Sequence, residues 1–241
     1  MKRYVEHVMG MPISLALRGR HEDDPAGRDA WAEALAALHD VDRVFSTYRP
    51  DSFVSRLGRG EVALADCPAE VAEVLALGER WREESGGAFD VRRNGVLDPS
   101  GVVKGWAVER AAGPLRALEE TDVALSAGGD MVCLARAESE PWRVGVEDPA
   151  APDRILAVVP VRRGAVATSG LAHRGGHITD ARTGTVPAAV ASVTVVADDL
   201  TRADLDATAA FALDGEAATW LAGRGATAVV VWRDGRREVV G

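Results

Sequence analysis

The stretch "ASVTVVADDLTRADLDATAAFAL", residues 191–213, sets two periodicities side by side. Residues 191–197 are a β-branched run and read as a strand. Residues 201–222 read as helix, broken at "LDGEA". The helix begins with polar residues and then turns apolar, as a helix entering a core should. Asp204 and Thr208 are four apart and share one face of it, whereas Asp206 points elsewhere. A carboxylate and a hydroxyl on successive turns are oxygen-only donors of the kind that suits Mg²⁺. Helix capping by Thr201 or Asp204, with Thr208 in the core, accounts for the same residues.

Outward from this stretch, helices and hairpin-like strands mix without regular βαβ alternation, which favours an α+β fold in one unit. Residues 3–18 read as strand, broken near "MGMP". Residues 26–44 carry Trp31, Leu35, Leu38 and Val41 at helical spacing. Residues 69–84 form a second amphipathic helix, with "SGG" at 85–87 as its stop. The segment 88–101 is loop-rich, and 102–118 form a third helix. Residues 122–126 read as a strand, and "VCLA", "WRVGV", "ILAVVPV" and "GAVATS" follow as further short strands. The segment "ATAVVVWR" closes the chain as a strand. "SAGGD" is not GxGxxG, so no dinucleotide fingerprint of the Rossmann type is present.

Composition excludes whole classes of function. The 241 residues suffice for one large domain or two small ones, and 47% hydrophobic residues can bury a sizeable core. A net charge of −9 and a pI near 5.1 argue against a nucleic-acid partner and suit a protein that holds a cation. Cys67 and Cys133 fit no metal-ligand spacing and read as small buried hydrophobes. The N-terminal residues lack a signal-peptide h-region, and no run approaches the ~20 apolar residues of a membrane span. The expected location is cytoplasmic, without a membrane anchor.

Four stretches break local rules and are candidates for function. "SGGAFD" (85–90) lets backbone approach a neighbour closely, or simply caps a helix and turns. In "SGVVKGWAVER" (100–110), a Ser-Gly pair precedes the helix start, and Lys104 and Gly105 are expected in the first turn. Free N–H groups there attract anions, and a lysine there opposes the helix dipole, which points to a ligand or to a solvated side chain. "SAGGD" (126–130) is a common strand–turn pattern. "ATSGLAHRGGHITDARTG" (167–184) holds His173 and His177, and His177 opens what reads as a short strand, "HIT". Thr168 and Ser169 have no base in a triad arrangement, and no nucleophile elbow is present.

The order of these motifs resembles the FAD:protein FMN transferases of the ApbE family. The matching stretches are "MGMPISL", "FSTYRPDSFVSRL", "SGGAFD", "LDPSGVVKGWAVER", "SAGGD", "WRVGVEDP", "VATSG", "HITDARTG", "SVTVVA" and "ADLDATAAFAL". They run from residue 9 to about 222, nearly the whole chain. The resemblance implies a single domain over 1–241, T-fold-like, of two pseudo-repeated sheet-and-helix halves with the flavin cleft between them. It implies one Mg²⁺, held by Asp204, Thr208 and the carbonyl of Val103. It implies FAD contacts at Met9, Tyr48, Ala88, Phe89, Asp90, Ser100, Trp106 and Thr179, with His177 as the base. The implied reaction moves the FMN part of FAD onto a Ser or Thr hydroxyl of a target flavoprotein and releases AMP. Hydrolysis of FAD to FMN and AMP by the same site, and FAD binding without turnover, are the competing readings.

This chain departs from the family pattern at Gly58 (usually Asn), Glu109 (usually Asp), Ala181 (Pro) and Ala207 (often a hydroxyl or acid). The segment between "AFD" and "LDPSG" is also short, which would leave one side of the cleft more open. The exported-lipoprotein location of well-known members is not implied here, since no lipobox is present.

Overall fold

The alternation in "MPISLALRG" decides how the first sheet strands sit: Ile13, Leu15 and Leu17 point into the core while their neighbours face outward. The computed structural model of the chain describes residues 1–93, 95–171 and 177–241. Strands β1 (Lys2–Val8) and β2 (Met11–Gly19) form a hairpin, followed by helices α1 (Pro25–Phe45), α2 (Phe53–Gly58) and α3 (Ala69–Glu84). A two-stranded ribbon, β3 (Arg92–Arg93) and β4 (Val96–Leu97), precedes α4 (Ser100–Arg116). Strands β5 (Thr121–Ala127) and β6 (Asp130–Leu134) then pair across "SAGGD". A separate hairpin follows, β7 (Trp142–Asp148) with β8 (Ala151–Val161). The chain ends with β9 (Arg163–Gly170), β10 (Val190–Ala197), α5 (Leu200–Ala212), α6 (Ala217–Gly223), β11 (Thr227–Trp232) and β12 (Arg237–Val240).

The main sheet has the order β1-β2-β5-β6-β9-β10-β11-β12, antiparallel throughout. Its two halves repeat one pattern: an antiparallel pair, helices, then another antiparallel pair. They meet where β6 pairs β9. Helices α4 and α5 pack against each other, α4 also packs on α1, and α5 lies on β9 and β10. This side of the sheet holds the main core, to which Val193 and Val195 of β10 and Ala165 and Ala167 of β9 contribute. The β7–β8 hairpin covers part of the other face, where Val144 and Val161 pack with Cys133 and Val166. Cys133 is buried there, which pushes its thiol up to about 12; Cys67 is only half-buried.

Several sequence expectations are corrected. The third helix begins at Ser100, so the Ser-Gly pair lies inside its first turn and Lys104 opens the second. Its early N–H groups are engaged by the chain itself: Ser100 N donates to Asp98 Oδ1, and Val102 N and Val103 N donate to the carbonyl of Pro99. Residues 177–180 adopt no regular strand. The helix of the opening stretch is capped neither by Thr201 nor by Asp204; the Asp199 side chain accepts from Arg202 N. Elements that the sequence had not signalled also appear, among them α2, the β3–β4 ribbon in the loop-rich segment, and β12. Glu109 accepts the Leu200 N–H at 2.8 Å, so its longer side chain ties α4 to the start of α5.

The α4–α5 crossing is close because Gly105 has no side chain. A Cβ there would lie 2.6 Å from Asp204 Cβ and 2.8 Å from the Leu200 carbonyl oxygen. Gly105→Ala is therefore expected to cost about 1–3 kcal/mol through overpacking of two buried helices. Urea unfolding should show a lower midpoint at unchanged slope.

At the other end of the first half, buried Asp122 joins Arg18 of β2 (2.6 Å) to Arg136 (3.1 Å) and accepts the Arg136 N–H (2.8 Å). Burial works to raise its pKa, but these donors win and hold it down at about 2. A depressed folded-state pKa contributes stability that is full above the unfolded value near 3.8 and is lost as pH falls toward 2. That contribution is on the order of 2 kcal/mol. Urea midpoints followed from pH 6 down to ~3 should fall more steeply for the wild type than for Asp122→Asn.

Candidate functional site

A cleft of about 1010 Å³ opens on the helix side of the sheet. A smaller cavity of about 230 Å³ continues from it, and Ser100, Gly101, Lys104, His177, Ile178 and Thr208 line both. The walls come from both halves of the chain. On the first-half side, Met9 sits in the β1–β2 turn with φ 55, next to Gly10 with φ 71. The turn needs positive φ at both central positions, which is unusual for methionine and strained. Tyr48, from the α1–α2 connection, lines the mouth and is 96% exposed.

Behind it, Gly86 and Gly87 take positive φ and end α3. The turn delivers Ala88, Phe89 and Asp90 to the cleft. Ser85 Oγ accepts the Phe89 N–H, and Asp90 Oδ1 accepts the Arg92 N–H. Ser100 and Val103 of α4 form another wall, with Asp98 beside them. From the second half come His177, Ile178 and Thr179, with Thr208 and Ala212 of α5. Thr179 Oγ1 accepts a hydrogen bond from Arg93. His173 lies outside the described residues.

Trp106 is the expected contact that does not reach either cavity. It is 3% exposed, its ring meets Phe45 edge-on at 5.4 Å, and its Nε1 donates to Glu73 at 2.8 Å. Phe45, its packing partner, lines the cleft in its place. Residue 106 is one turn beyond Val103 and shares its side of the helix, so it is the Phe45 ring packed on the indole, not the helical period, that stands between Trp106 and the cleft.

Asp204 lines the inner cavity at 2% exposure. Its Oδ2 accepts the Gly105 N–H at 2.9 Å, and its Oδ1 is 3.2 Å from Lys104 Nζ. The ammonium also lies 2.5 Å from Asp130 Oδ2, and Asp130 Oδ1 accepts the Thr168 N–H at 3.0 Å. Thr208 Oγ1 and Ser169 Oγ are 3.1 Å apart, joining α5 to β9. Asp206 faces away from all of this and accepts from Trp81 Nε1 at 2.9 Å and from Arg224.

One ammonium cannot neutralise two buried carboxylates. Burial accordingly raises the Asp204 carboxyl to about 6, against the pull of Lys104. Burial works to lower the Lys104 pKa, but Asp204 and Asp130 together lift it above the ordinary amine value. The sequence marked Lys104 and "SAGGD" as unusual but gave no reason to join residues 104, 130 and 204. The pairing of Ser169 with Thr208 depends on how α5 lies on β9, which no local pattern signals.

The donor set suits a hard divalent cation. Its atoms are carboxylate and hydroxyl oxygens, and the buried Asp130 Oδ2 already faces a cation, the Lys104 ammonium. Among the described residues no group of three or more His, Cys, Asp or Glu side chains is arranged as a metal cage. Few protein ligands leave room for water and substrate oxygens, as Mg²⁺ prefers. Replacing Thr208 by valine keeps the shape but strands the buried Ser169 hydroxyl. The expected cost is about 1–2 kcal/mol in urea unfolding, which Thr208→Ser should recover.

Relatives are found both by sequence and by structure. The FAD:protein FMN transferase of Rhodobacter capsulatus is 37% identical over 122 residues, which are 47% of this chain and 23% of that protein's length. The ApbE protein of Thermotoga maritima superposes with a TM-score of 0.87 at 22% identity, covering 99% of this chain and 96% of that one. The flavinyl transferase ApbE of Pseudomonas stutzeri superposes with a TM-score of 0.83 at 22% identity, covering 99% and 95%. These two share the fold: mixed helix and sheet with this strand arrangement. No helix among the described residues is long and apolar enough to cross a membrane. The ApbE family model matches residues 9–98 and 91–231, so nearly the whole chain is accounted for and the protein belongs to the ApbE family.

Proposed function

We propose that this protein binds FAD in the cleft, transfers its FMN moiety to a Ser or Thr hydroxyl of a target flavoprotein, and releases AMP. The observation that carries the proposal is the meeting of two features in one place. A cleft large enough for a dinucleotide runs inward to a buried oxygen cluster, Asp204 with Thr208, and His177 lines the junction. Family membership supports the same reading.

In this reading Ala88 and Phe89 give the flavin an apolar surface, with Met9 and Tyr48 at the mouth. Asp90, Ser100 and Thr179 offer polar contacts along the cleft. Asp204, Thr208 and the Val103 carbonyl would hold Mg²⁺. When bound, the ion neutralises diphosphate charge as it builds at the leaving oxygen. His177 takes the proton of the attacking hydroxyl, the general-base role that a histidine side chain at the cleft junction suits. The acceptor oxygen bonds to the FMN-side phosphorus, the bond from that phosphorus to the bridging oxygen breaks, and AMP leaves with the bonding pair. The product is a phosphoester-linked flavin. Such transfers depend on positioning and charge neutralisation more than on covalent help.

Hydrolysis of FAD to FMN and AMP has one observation in its favour. Tyr48 stands almost fully exposed at the mouth rather than folded across it, so water has a way in.

The test is incubation with FAD and Mg²⁺, with and without a peptide bearing an acceptor Ser or Thr, and with EDTA. Peptide mass, FMN and AMP are read together. Transfer predicts a peptide heavier by one FMN and AMP released only with metal. Asp204→Ala should abolish the metal-dependent reaction. His177→Ala should still bind FAD but transfer about 10²–10⁴-fold more slowly. Free FMN and AMP beside an unmodified peptide favour hydrolysis, and intact bound FAD in every tube overturns both.

A further inference from the structure

Lys2 and Lys104 are the only lysines in a chain that otherwise uses arginine throughout. Lys2 pairs with Asp23 at the surface, at the start of the first strand. Lys104 sits between two buried carboxylates, 2.5 Å from Asp130 Oδ2 and 3.2 Å from Asp204 Oδ1. The other oxygen of each carboxylate is fixed by backbone, Gly105 N–H for Asp204 and Thr168 N–H for Asp130. Each acid therefore keeps one oxygen directed at the ammonium. An ammonium is a compact point charge, close in role to a metal ion, whereas a guanidinium is a flat fork. The side chain stands where a cation shared by these oxygens would stand.

We propose that Lys104 is the resident counter-cation of this site and that a divalent ion enters by exchange with it. The ion takes Asp204 Oδ1, and the ammonium stays on Asp130, where its contact is shorter. The exchange reverses the sign of the cluster. Two carboxylates and one ammonium carry one excess negative charge; with a divalent ion added they carry one excess positive charge. A diphosphate would thus meet an attractive site only after the ion is in place, which orders binding as metal first and FAD second. The proposal rests on the functional reading above only in taking Asp204 as the ion's ligand.

The test uses the full chain and Mn²⁺ as the probe, with free ion followed by electron paramagnetic resonance. Lys104→Met removes the competitor and should bind Mn²⁺ at least about fivefold more tightly than the wild type, the lower range of ordinary coupling between sites. Equal or weaker binding by Lys104→Met, with binding lost in Asp204→Asn, overturns the exchange while leaving the metal site standing. Mn²⁺ binding retained at wild-type affinity in Asp204→Asn overturns the metal assignment itself, and the exchange with it. If Lys104→Met does not fold, the wild type decides. Acetylation of Lys104, read by peptide mass against Lys2 as internal standard, should rise when Mn²⁺ is added. Labelling indifferent to the ion overturns the proposal.

Discussion

Everything at the inner end of the cleft depends on how closely α4 and α5 approach. The contact is made by a glycine: with no Cβ at Gly105, the backbone of α4 comes within hydrogen-bond reach of the Asp204 carboxylate. That approach does two things at once. It lets two helices from the two halves of the chain pack as a core, and it gives a buried carboxylate a backbone donor that steadies it. Glu109, holding the first N–H of α5, anchors the same crossing one helical turn further on. A side chain at position 105 would separate the helices and loosen the acid together.

The second constraint is electrical. Asp130 and Asp204 are both buried, and Lys104 is the cation between them. Burying like charges is costly unless something offsets them. Here the offset is partial, and the polar lining around it is drawn from different parts of the fold: a backbone N–H from β9, another from α4, and a hydroxyl pair joining β9 to α5. Such an arrangement adds little to folding stability. It keeps a concentrated negative charge in a place that a substrate can reach, with room left for an ion and its ligands.

Strain at the mouth and polarity at the base give the cleft a direction. Met9 holds a left-handed conformation in a hairpin turn whose other central residue is glycine, and it faces the cavity. Phe89 and Ala88 supply buried apolar surface next to it. The cleft thus passes from an open, aromatic and apolar end near Tyr48 to a polar, charged end at Lys104 and Asp204. A ligand with a flat apolar part joined to a charged diphosphate matches that gradient.

Much of this was legible in the linear sequence. Hydrophobic period placed α1 and α3 within a residue or two, because their buried faces repeat every three to four residues. The β-branched run of 191–197 was a strand for the same local reason, and the i, i+4 spacing put Asp204 and Thr208 on one face while Asp206 turned to Trp81 and Arg224. What the sequence could not give was distance between segments. Residues 177–180 look strand-like by composition, yet they pair with no strand, and pairing is what makes a strand. Trp106 stands beside the motif that reaches the cleft, yet Phe45, from a helix some sixty residues earlier, packs on its ring and takes the place at the wall. The joining of Lys104, Asp130 and Asp204 comes from strand order and helix packing, which bring residues dozens of positions apart within about 3 Å. Local periodicity is written in neighbouring residues, so the sequence determined the elements and the faces they present. The charge cluster is a property of how those faces meet, and only the tertiary structure decided it.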